Sequence, residues 1–275
     1  MEELFSKSSS KKATMNYTAN YHTHTYRCGH ARGEDREYVE EAIKAGIKTL
    51  GFSDHAPMPF PSGHRSGHRV QMEDADDYFH SVSELKREYA RDITIHIGVE
   101  TEFYPDTFDL FWHYIKQFPL EYMILGQHFI GREEDGLYSG APSASEEKLV
   151  KFTDNIIDAI RTGKFLYVAH PDILNYTGEY EPYHREMTRL CKVAKELNVP
   201  LEINRLGYFE HRIYPSDRFF AIAKEVGCDV VIGSDAHSPD VFRDHASIEG
   251  CAALAEKHGL RILPALTMPK EFTKK

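Results

Sequence analysis

The sequence has little cysteine and no long apolar run. Its four cysteines lie far apart along the chain and include no Cys-x-x-Cys pair, which excludes both a disulfide framework and a zinc site built from paired thiolates. No apolar stretch approaches the ~18 to 20 residues that a membrane-spanning helix needs, and the polar N-terminus lacks the apolar core of a secretion signal. We therefore expect a cytoplasmic protein with reduced cysteines and no membrane partner.

The sequence also lacks an excess of positive charge. It carries 33 Lys and Arg residues against 43 Asp and Glu residues, which gives a net charge of -10 at pH 7. A field of this sign repels polyanions, so long nucleic acid is a poor partner, whereas a small-molecule ligand is not excluded. The composition carries no signal about the oligomeric state.

Linkers are missing as well. No stretch rich in Pro, Gly or Ser divides residues 17–263, and 41% hydrophobic residues in a chain of 275 are ordinary for a globular protein. We expect residues 17–275 to form a single domain. The polar residues 1–16 are expected to be a disordered leader.

Short apolar or β-branched runs alternate with segments of helical periodicity. In the segments 39–47, 149–160 and 187–197, apolar residues recur at spacings of three and four, which predicts helices with one buried stripe. A repeated strand–helix order favours a parallel sheet, and the number of units suits a closed α/β barrel better than two small domains. The seven runs lie near 17–21, 49–53, 93–99, 122–125, 165–169, 200–203 and 230–233.

One insertion interrupts this order. Residues 56–71 contain three prolines, and the tripeptide Gly-His-Arg occurs in them twice. A loop of this kind, directly after a predicted strand, is typical of a lid over an active site.

Histidine is abundant, with 16 in the chain, roughly twice or more the number in an average protein of this length. Imidazole is a common protein ligand for borderline metals such as zinc. A histidine-rich metal site is therefore the first functional hypothesis, and the positions of the histidines decide between this site and a scatter over the surface.

Nine His, Glu and Asp residues stand at or just after the ends of predicted strands. In an α/β barrel the carboxyl ends of the strands converge on one face, so residues far apart in sequence become neighbours there. Nitrogen and oxygen ligands favour zinc, manganese or iron, and nine are too many for one ion, so we expect two to three divalent ions. The nine candidate ligands are His22, His24, His30, His55, Glu100, His128, His170, Asp235 and His237.

Seven short motifs follow one another between residues 22 and 237. They are His22-Thr23-His24 with His30, Ser53-Asp54-His55-Ala56-Pro57, Ile97-Gly98-Val99-Glu100, Gly126-Gln127-His128, Ala169-His170-Pro171-Asp172, Leu201-Glu202-Ile203-Asn204 and Gly233-Ser234-Asp235-Ala236-His237. In number, order and spacing they resemble the polymerase and histidinol phosphatase (PHP) family. The overall length and the segment 56–100 resemble the histidinol-phosphate phosphatase branch, whereas residues 204–208 depart from the Asn-Thr-small-Gly pattern of that branch.

The resemblance implies a distorted (βα)7 barrel, similar to a TIM barrel, with a trinuclear metal centre. It implies that Glu100 bridges two of the ions. The ligand sets that it implies are His22, His24, Glu100 and Asp235 for the first ion, Glu100, His128 and His170 for the second, and His30, His55 and His237 for the third.

The activity implied by the resemblance is hydrolysis of L-histidinol phosphate to L-histidinol and phosphate in histidine biosynthesis. A metal cluster both activates water and clamps the phosphoryl oxygens for in-line attack, so no covalent phosphoenzyme is expected. Glu100, Asp235 and His237 are the expected catalytic residues. Either Asp235 or a metal-bound water is the proton donor to the leaving alkoxide.

Three further residues are candidates for substrate binding. Arg205 and Arg212 follow the sixth predicted strand, and a guanidinium group suits bidentate contact with phosphate. Glu102, in an extended segment, is the candidate partner of the substrate's amine. Asp54 and Asp172 each neighbour a candidate ligand, where a carboxylate either fixes a histidine tautomer or serves as a cap or solvated group.

The sequence leaves three alternatives open. The first is a PHP phosphoesterase that acts on another small phosphate monoester or on a nucleotide. The second is a non-catalytic scaffold barrel, which the presence of all nine candidate ligands disfavours. The third is a metal-dependent amidohydrolase, since histidine-rich α/β barrels also hydrolyse C–N bonds, although no lysine stands at a strand end to be carboxylated.

Overall fold

Parallel strands form the centre of the structure, and helices pack against them. The computed structural model describes residues 17–269 and Phe272. The strands are Ala19–Asn20 (β1), Thr49–Phe52 (β2), Thr94–Thr101 (β3), Tyr122–Leu125 (β4), Leu201–Asn204 (β5), Asp229–Gly233 (β6) and Arg261–Ile262 (β7). The helices are Asp35–Lys44 (α1), Ala75–Glu88 (α2), Phe108–Ile115 (α3), Glu146–Arg161 (α4), Tyr180–Glu196 (α5), Arg205–Phe209 (α6), Asp217–Val226 (α7) and His245–His258 (α8).

The helices form where the sequence supplies both a buried stripe and a start or stop signal. Helix α4 begins after Ser145, whose hydroxyl accepts a hydrogen bond from the Lys148 amide. Helix α7 ends at Gly227, which takes a left-handed φ of 81° that favours glycine. The three helices predicted from apolar spacing are confirmed as α1, α4 and α5.

Two parallel sheets, β1-β2-β3-β4 and β5-β6-β7, are joined by isolated bridges. Val168 pairs with Leu125 of β4 on one side and with Leu201 of β5 on the other. Thr23, just after β1, pairs with Ala236, just after β6. The result is a curled parallel sheet in a single α/β domain, in which the first and sixth strands meet.

The observed strands differ from the predicted ones in two places. Six predicted runs coincide with β1 to β6. The run 165–169 lies between β4 and β5 but forms no regular strand, because Val168 alone makes a bridge to each neighbour and no continuous ladder extends from it. The short strand β7, which pairs with β6, has no counterpart among the predicted runs.

The core joins the strands through buried side chains as well as through the backbone. Tyr122 of β4 is fully buried, and its hydroxyl lies 2.9 Å from the Tyr21 carbonyl and 3.0 Å from the Phe52 carbonyl. This phenol therefore links β4 to the ends of β1 and β2. All four cysteines are buried and none forms a disulfide bond, in agreement with the absence of a disulfide framework from the sequence.

The remaining predictions about segments concern the insertion and the leader. Residues 56–71 contain neither helix nor strand, as predicted. The leader, residues 1–16, lies outside the described residues. Among residues 17–269, no helix is long and apolar enough to cross a membrane.

Candidate metal centre and cavity

The nine candidate ligands come together at one end of the strands, and Glu100 lies in their middle. This side chain at the end of β3 is 1% exposed, and its Oε1 is 2.9 Å from Nε2 of His170. The other imidazole nitrogens around its two oxygens are those of His22 (3.4 Å), His24 (3.5 Å), His55 (3.2 Å) and His128 (3.7 Å). One carboxylate therefore faces five imidazoles, and each of its two oxygens has imidazole neighbours.

Asp235 forms a second centre of contacts among the candidate ligands. Its Oδ1 lies 3.1 Å from Nε2 of His24 and 3.4 Å from Nε2 of His22. The Nδ1 atom of His237 is also 3.4 Å from this oxygen. His30 is the most exposed of the nine candidate ligands. Its imidazole ring lies beside that of His237, with the ring centroids 4.8 Å apart.

Two candidate ligands sit in strained backbone conformations. His170 has a φ of 28° and Asp235 a φ of 49°, in the left-handed region that residues with a side chain rarely adopt. Strain of this kind persists only where the surroundings enforce it, and it clusters at functional sites.

Carboxylates behind the ligands fix the orientation of three imidazoles. Nδ1 of His22 lies 2.8 Å from Glu202, Nδ1 of His24 lies 3.2 Å from Asp54, and Nδ1 of His128 lies 2.8 Å from Glu102. An acceptor on Nδ1 keeps the proton there and leaves the Nε2 lone pair free for a metal. Asp54 combines this contact with a capping role, since it also accepts hydrogen bonds from the Thr25 amide at 3.1 Å and the His55 amide at 2.8 Å.

Glu202 is the one of these three carboxylates that the sequence analysis did not single out as a functional residue. It is fully buried at the end of β5, and besides His22 it accepts from the His170 amide at 2.9 Å and from Asn204 at 2.8 Å. Asn204 in turn donates to Asp235 at 3.1 Å. The sequence signal that could have identified Glu202 is its position as a charged residue inside the apolar run 200–203, because a buried charge needs a partner.

Two glycines make room for these buried carboxylates. A Cβ at Gly126 would lie 2.0 Å from Oε1 of Glu100, and a Cβ at Gly233 would lie 1.7 Å from Oε1 of Glu202. Neither position has space for any side chain while the carboxylates stay where they are.

The donor set fits divalent metal ions. Among the described residues, buried side-chain nitrogens without a hydrogen-bond partner include Nε2 of His22, Nε2 of His24 and Nδ1 of His170. Two ligands of one zinc ion stand about 3 Å apart, since each bond is about 2.0 to 2.2 Å, and the carboxylate–imidazole distances in this centre are close to that value. An ion between these groups would give a partner to Nε2 of His22 and Nε2 of His24, which face Glu100 and Asp235.

The electrostatics of the cluster also favour cations. Burial raises the pKa of Glu100, but the imidazoles around it outweigh burial and hold that pKa well below its ordinary value. Burial, and then the charge of His24, lowers the pKa of His237 to about 3 and that of His55 well below its usual range. Glu100 is thus ionised and these two imidazoles are neutral, which are the forms that bind metal. Burial lowers the pKa values of His22 and His24, but the carboxylates around them outweigh burial and raise both, so a metal ion bound there would displace a proton from each imidazole.

A cavity of about 570 Å³ opens above the cluster. Arg212 and Glu102 line it, whereas Arg205 does not. Arg205 is 3% exposed, forms an ion pair with Asp244 and lies over the Phe209 ring at 4.5 Å. Of the two arginines predicted to contact phosphate, the structure therefore brings only Arg212 to the cavity.

The predicted lid contributes to the wall of this cavity. His68 and Arg69 of the segment 56–71 line it. Arg69 is 4% exposed and donates to Glu102 at 2.9 Å and to Glu133 at 2.9 Å. The segment is therefore anchored directly to the carboxylate that orients His128.

Asp172 does not orient a ligand in this structure. Its Oδ2 accepts from the Ser216 amide at 2.6 Å, and its Oδ1 has no partner. Burial raises the pKa of this carboxyl to about 7. Its contact fixes the segment before α7 beside the cavity.

The PHP domain model matches residues 20–206 of the chain, which carry seven of the nine candidate ligands. The chain belongs to the PHP domain family. As a PHP protein it is 28% identical over 235 residues to the probable histidinol-phosphatase of Deinococcus radiodurans, covering 79% of this chain and 85% of that one. It is 26% identical over 264 residues to the histidinol-phosphatase of Bacillus subtilis, covering 84% and 98%.

The fold of this PHP protein is also found in a solved structure. Histidinol phosphate phosphatase from Lactococcus lactis, crystallised with zinc, L-histidinol and phosphate, superposes with a TM-score of 0.70 at 20% identity. The match covers 91% of this chain and 99% of that one. At this identity the likeness shows that the two proteins share a fold.

Proposed function

We propose that this PHP protein is a metal-dependent phosphomonoesterase that hydrolyses L-histidinol phosphate to L-histidinol and phosphate, as a step of histidine biosynthesis. The observation that carries the proposal is the ring of imidazoles around Glu100, with buried ring nitrogens that lack a partner. The names of the relatives from Deinococcus radiodurans and Bacillus subtilis supply the substrate.

The proposal includes the finer form of the fold. The bridges of Val168 to both sheets and of Thr23 to Ala236 support a closed, distorted (βα)7 barrel over residues 17–275, with the segment 165–169 as its irregular strand. We also propose that the protein is a biosynthetic enzyme of the cytoplasm.

The nine candidate ligands would hold two to three divalent ions, with zinc, manganese or iron as the candidates. We assign His22, His24, Glu100 and Asp235 to one ion, Glu100, His128 and His170 to a second, and His30, His55 and His237 to a third. Ions bound there would activate water and neutralise the charge of the phosphoryl group.

The residues around the ions have separate tasks in this proposal. Glu202, Asp54 and Glu102 hold protons on Nδ1 of their histidines, so that Nε2 stays free. Arg212 lines the cavity and offers a planar set of donors to a phosphoryl dianion. Asp235 is the candidate proton donor to the leaving alkoxide, and the segment 56–71 limits the access of water.

The test joins metal content to substrate preference. Protein purified without added metal is analysed for zinc, manganese and iron per chain, and phosphate release is measured from histidinol phosphate and from a panel of nucleotide and sugar phosphates. We expect two to three ions per chain and a clear preference for histidinol phosphate. Activity is lost on chelation and restored by one of the three metals.

A pair of histidine variants provides the internal control. His24→Ala removes a candidate ligand, and it is expected to lower both the metal content and the activity. His80→Ala removes an exposed histidine of α2 whose nearest acid is 3.9 Å away, and it should leave both unchanged. If the chain binds metal but prefers another ester, the proposed substrate is wrong. If the chain binds no metal, the proposed metal-dependent activity is wrong.

A further inference from the structure

Glu210 is the one of the four acids lining the cavity that contacts no candidate metal ligand and is paired with Arg212 alone. Four acids line the cavity, and Glu100 and Asp235 face the candidate metal ligands. Glu102 gives one oxygen to His128 and the other to Arg69. Its role in substrate binding stays a prediction, but both its oxygens are engaged by protein partners.

Glu210 lies in the exposed turn after α6, at the side of the cavity where Arg212 stands. Nε and Nη2 of Arg212 lie 2.7 Å and 2.6 Å from Oε2 of Glu210, and Nη1 of Arg212 donates to the Tyr214 hydroxyl at 2.7 Å. A guanidinium group has five N–H donors in a planar fork, so Arg212 can contact a phosphoryl group without giving up both partners. The Arg212 contacts engage Oε2 of Glu210, which leaves Oε1 to accept a hydrogen bond from a ligand in the cavity.

Part of the wall of this cavity is aromatic. Phe129, Tyr138 and Tyr214 line the same cavity, and Tyr138 is 44% exposed. The faces of aromatic rings attract cations, and the attraction grows where water is excluded. The cavity therefore combines one available carboxylate with aromatic surfaces, which is the chemistry that binds an ammonium or imidazolium group.

We propose that Glu210 determines the specificity of the site by binding a cationic amine on the leaving group of the phosphate ester. This inference rests on the proposed phosphatase activity, and it assigns the selection of amine-bearing esters to one residue. The phosphoryl group is bound by Arg212 and the metal site, and the amine is bound by Glu210 against the aromatic wall.

The test compares esters that differ in charge at the leaving group. The kcat/KM values for histidinol phosphate and phosphoethanolamine are divided by those for phenyl phosphate and ethyl phosphate, respectively, in the wild type and in Glu210→Gln. Loss of a hydrogen bond to a charged group predicts that these ratios fall about 10-fold. The ratios should stay at the wild-type value in Glu196→Gln, a variant of an exposed acid in the last turn of α5.

Product inhibition provides a second measurement on the same variants. The inhibition constant of L-histidinol should rise about 10-fold in Glu210→Gln, whereas that of inorganic phosphate should not rise. Circular dichroism of both variants checks that they are folded.

The possible results separate this inference from the proposed function. If histidinol phosphate is the preferred substrate but Glu210→Gln leaves the ratios unchanged, Glu210 has no such role and the function stands. If histidinol phosphate is a poor substrate but the phosphoethanolamine ratio still depends on Glu210, the inference stands and the proposed substrate is wrong.

Discussion

The imidazole of His22 and the carboxylate of Glu202 are 180 residues apart in the chain and 2.8 Å apart in the structure. Both side chains are fully buried. Glu202 also accepts from the His170 amide and from Asn204, which donates to Asp235. One carboxylate therefore positions three of the nine candidate ligands.

Glu202→Gln tests this positioning. The substitution preserves the shape of the side chain but weakens its hold on the proton of His22, so we expect metal affinity to fall about 10-fold to 100-fold. The affinity is measured by competition with a chromophoric chelator. Thermal unfolding of the metal-free variant is the control, and an unchanged affinity in a folded variant would show that Glu202 is merely a buried packing group.

Gly126→Ala is expected to displace Glu100, because a Cβ at this position would lie 2.0 Å from its Oε1. Metal content and activity should both fall by at least about 10-fold, in line with loss of a ligand or its support. The matched control is Gly67→Ala, since a Cβ at Gly67 meets nothing within 4 Å. Retention of the full metal content by Gly126→Ala would mean that Glu100 can move without consequence.

Arg212 and Arg205 offer a comparison between two arginines of neighbouring sequence. Arg212→Ala removes a side chain of the cavity wall and should raise the KM for phosphate esters about 10-fold or more. Arg205→Ala breaks a buried ion pair with Asp244 and should lower the free energy of unfolding while leaving KM within twofold, roughly. Steady-state kinetics and urea denaturation of both variants decide the assignment, which fails if their effects are interchanged.

Arg69 anchors the segment 56–71 to Glu102 and Glu133. Arg69→Met leaves two buried carboxylates without their cation, so we expect a loss of about 3 to 5 kcal/mol in the free energy of unfolding. Limited proteolysis should also cut this segment faster than in the wild type. Equal cleavage rates in the two proteins would argue that other contacts hold the segment in place.

Glu121 predicts a pH dependence of stability outside the metal centre. Burial raises its pKa, but His96, Lys86 and the Ile97 amide outweigh burial and lower it to about 2. Its contribution is therefore complete above the ordinary pKa of a glutamate, about 4.5, and is lost as the pH falls towards 2. Glu121→Gln should cost about 1 to 2 kcal/mol at pH 7 after allowance for solvent screening.

The measurement for Glu121 is urea denaturation of metal-free protein between pH 2.5 and 7, roughly the range over which the carboxylate titrates. The difference between the wild type and Glu121→Gln should shrink as the pH falls. A difference that stays constant with pH would show that the loss comes from packing. Glu196→Gln again serves as the control for removal of an exposed charge.

The sequence was sufficient for the architecture and for the grouping of the candidate ligands. Strand–helix alternation predicted the parallel sheet, and the rule that strand ends converge placed His22 and His170 near each other before any coordinates. The sequence could not show which way individual side chains face. Whether Arg205 or Arg212 faces the cavity depends on how α6 and the following turn pack, and spacing along the chain does not determine that packing.

Glu202 and the segment 165–169 show two further limits. Period-two alternation puts Glu202 and Asn204 on the same side of β5, but only the register of β5 with its neighbours brings Glu202 to His22. The apolar run 165–169 is typical of a strand, yet in the structure it makes only isolated bridges, through Val168, to Leu125 and Leu201. Both outcomes depend on contacts with distant segments, which local patterns do not contain.

The bridge between Thr23 and Ala236 has a consequence for biosynthesis of the active protein. Asn20 and Ser234, on the two sides of this seam, are joined by a hydrogen bond across 214 residues. Because His22 and His24 both contact Asp235, a nascent chain that has released its first strand still lacks this partner of the two histidines. The contacts of the cluster are complete only after β6 and the residues that follow it have left the ribosome, so a chain that stalls before Asp235 would lack two of the nine candidate ligands.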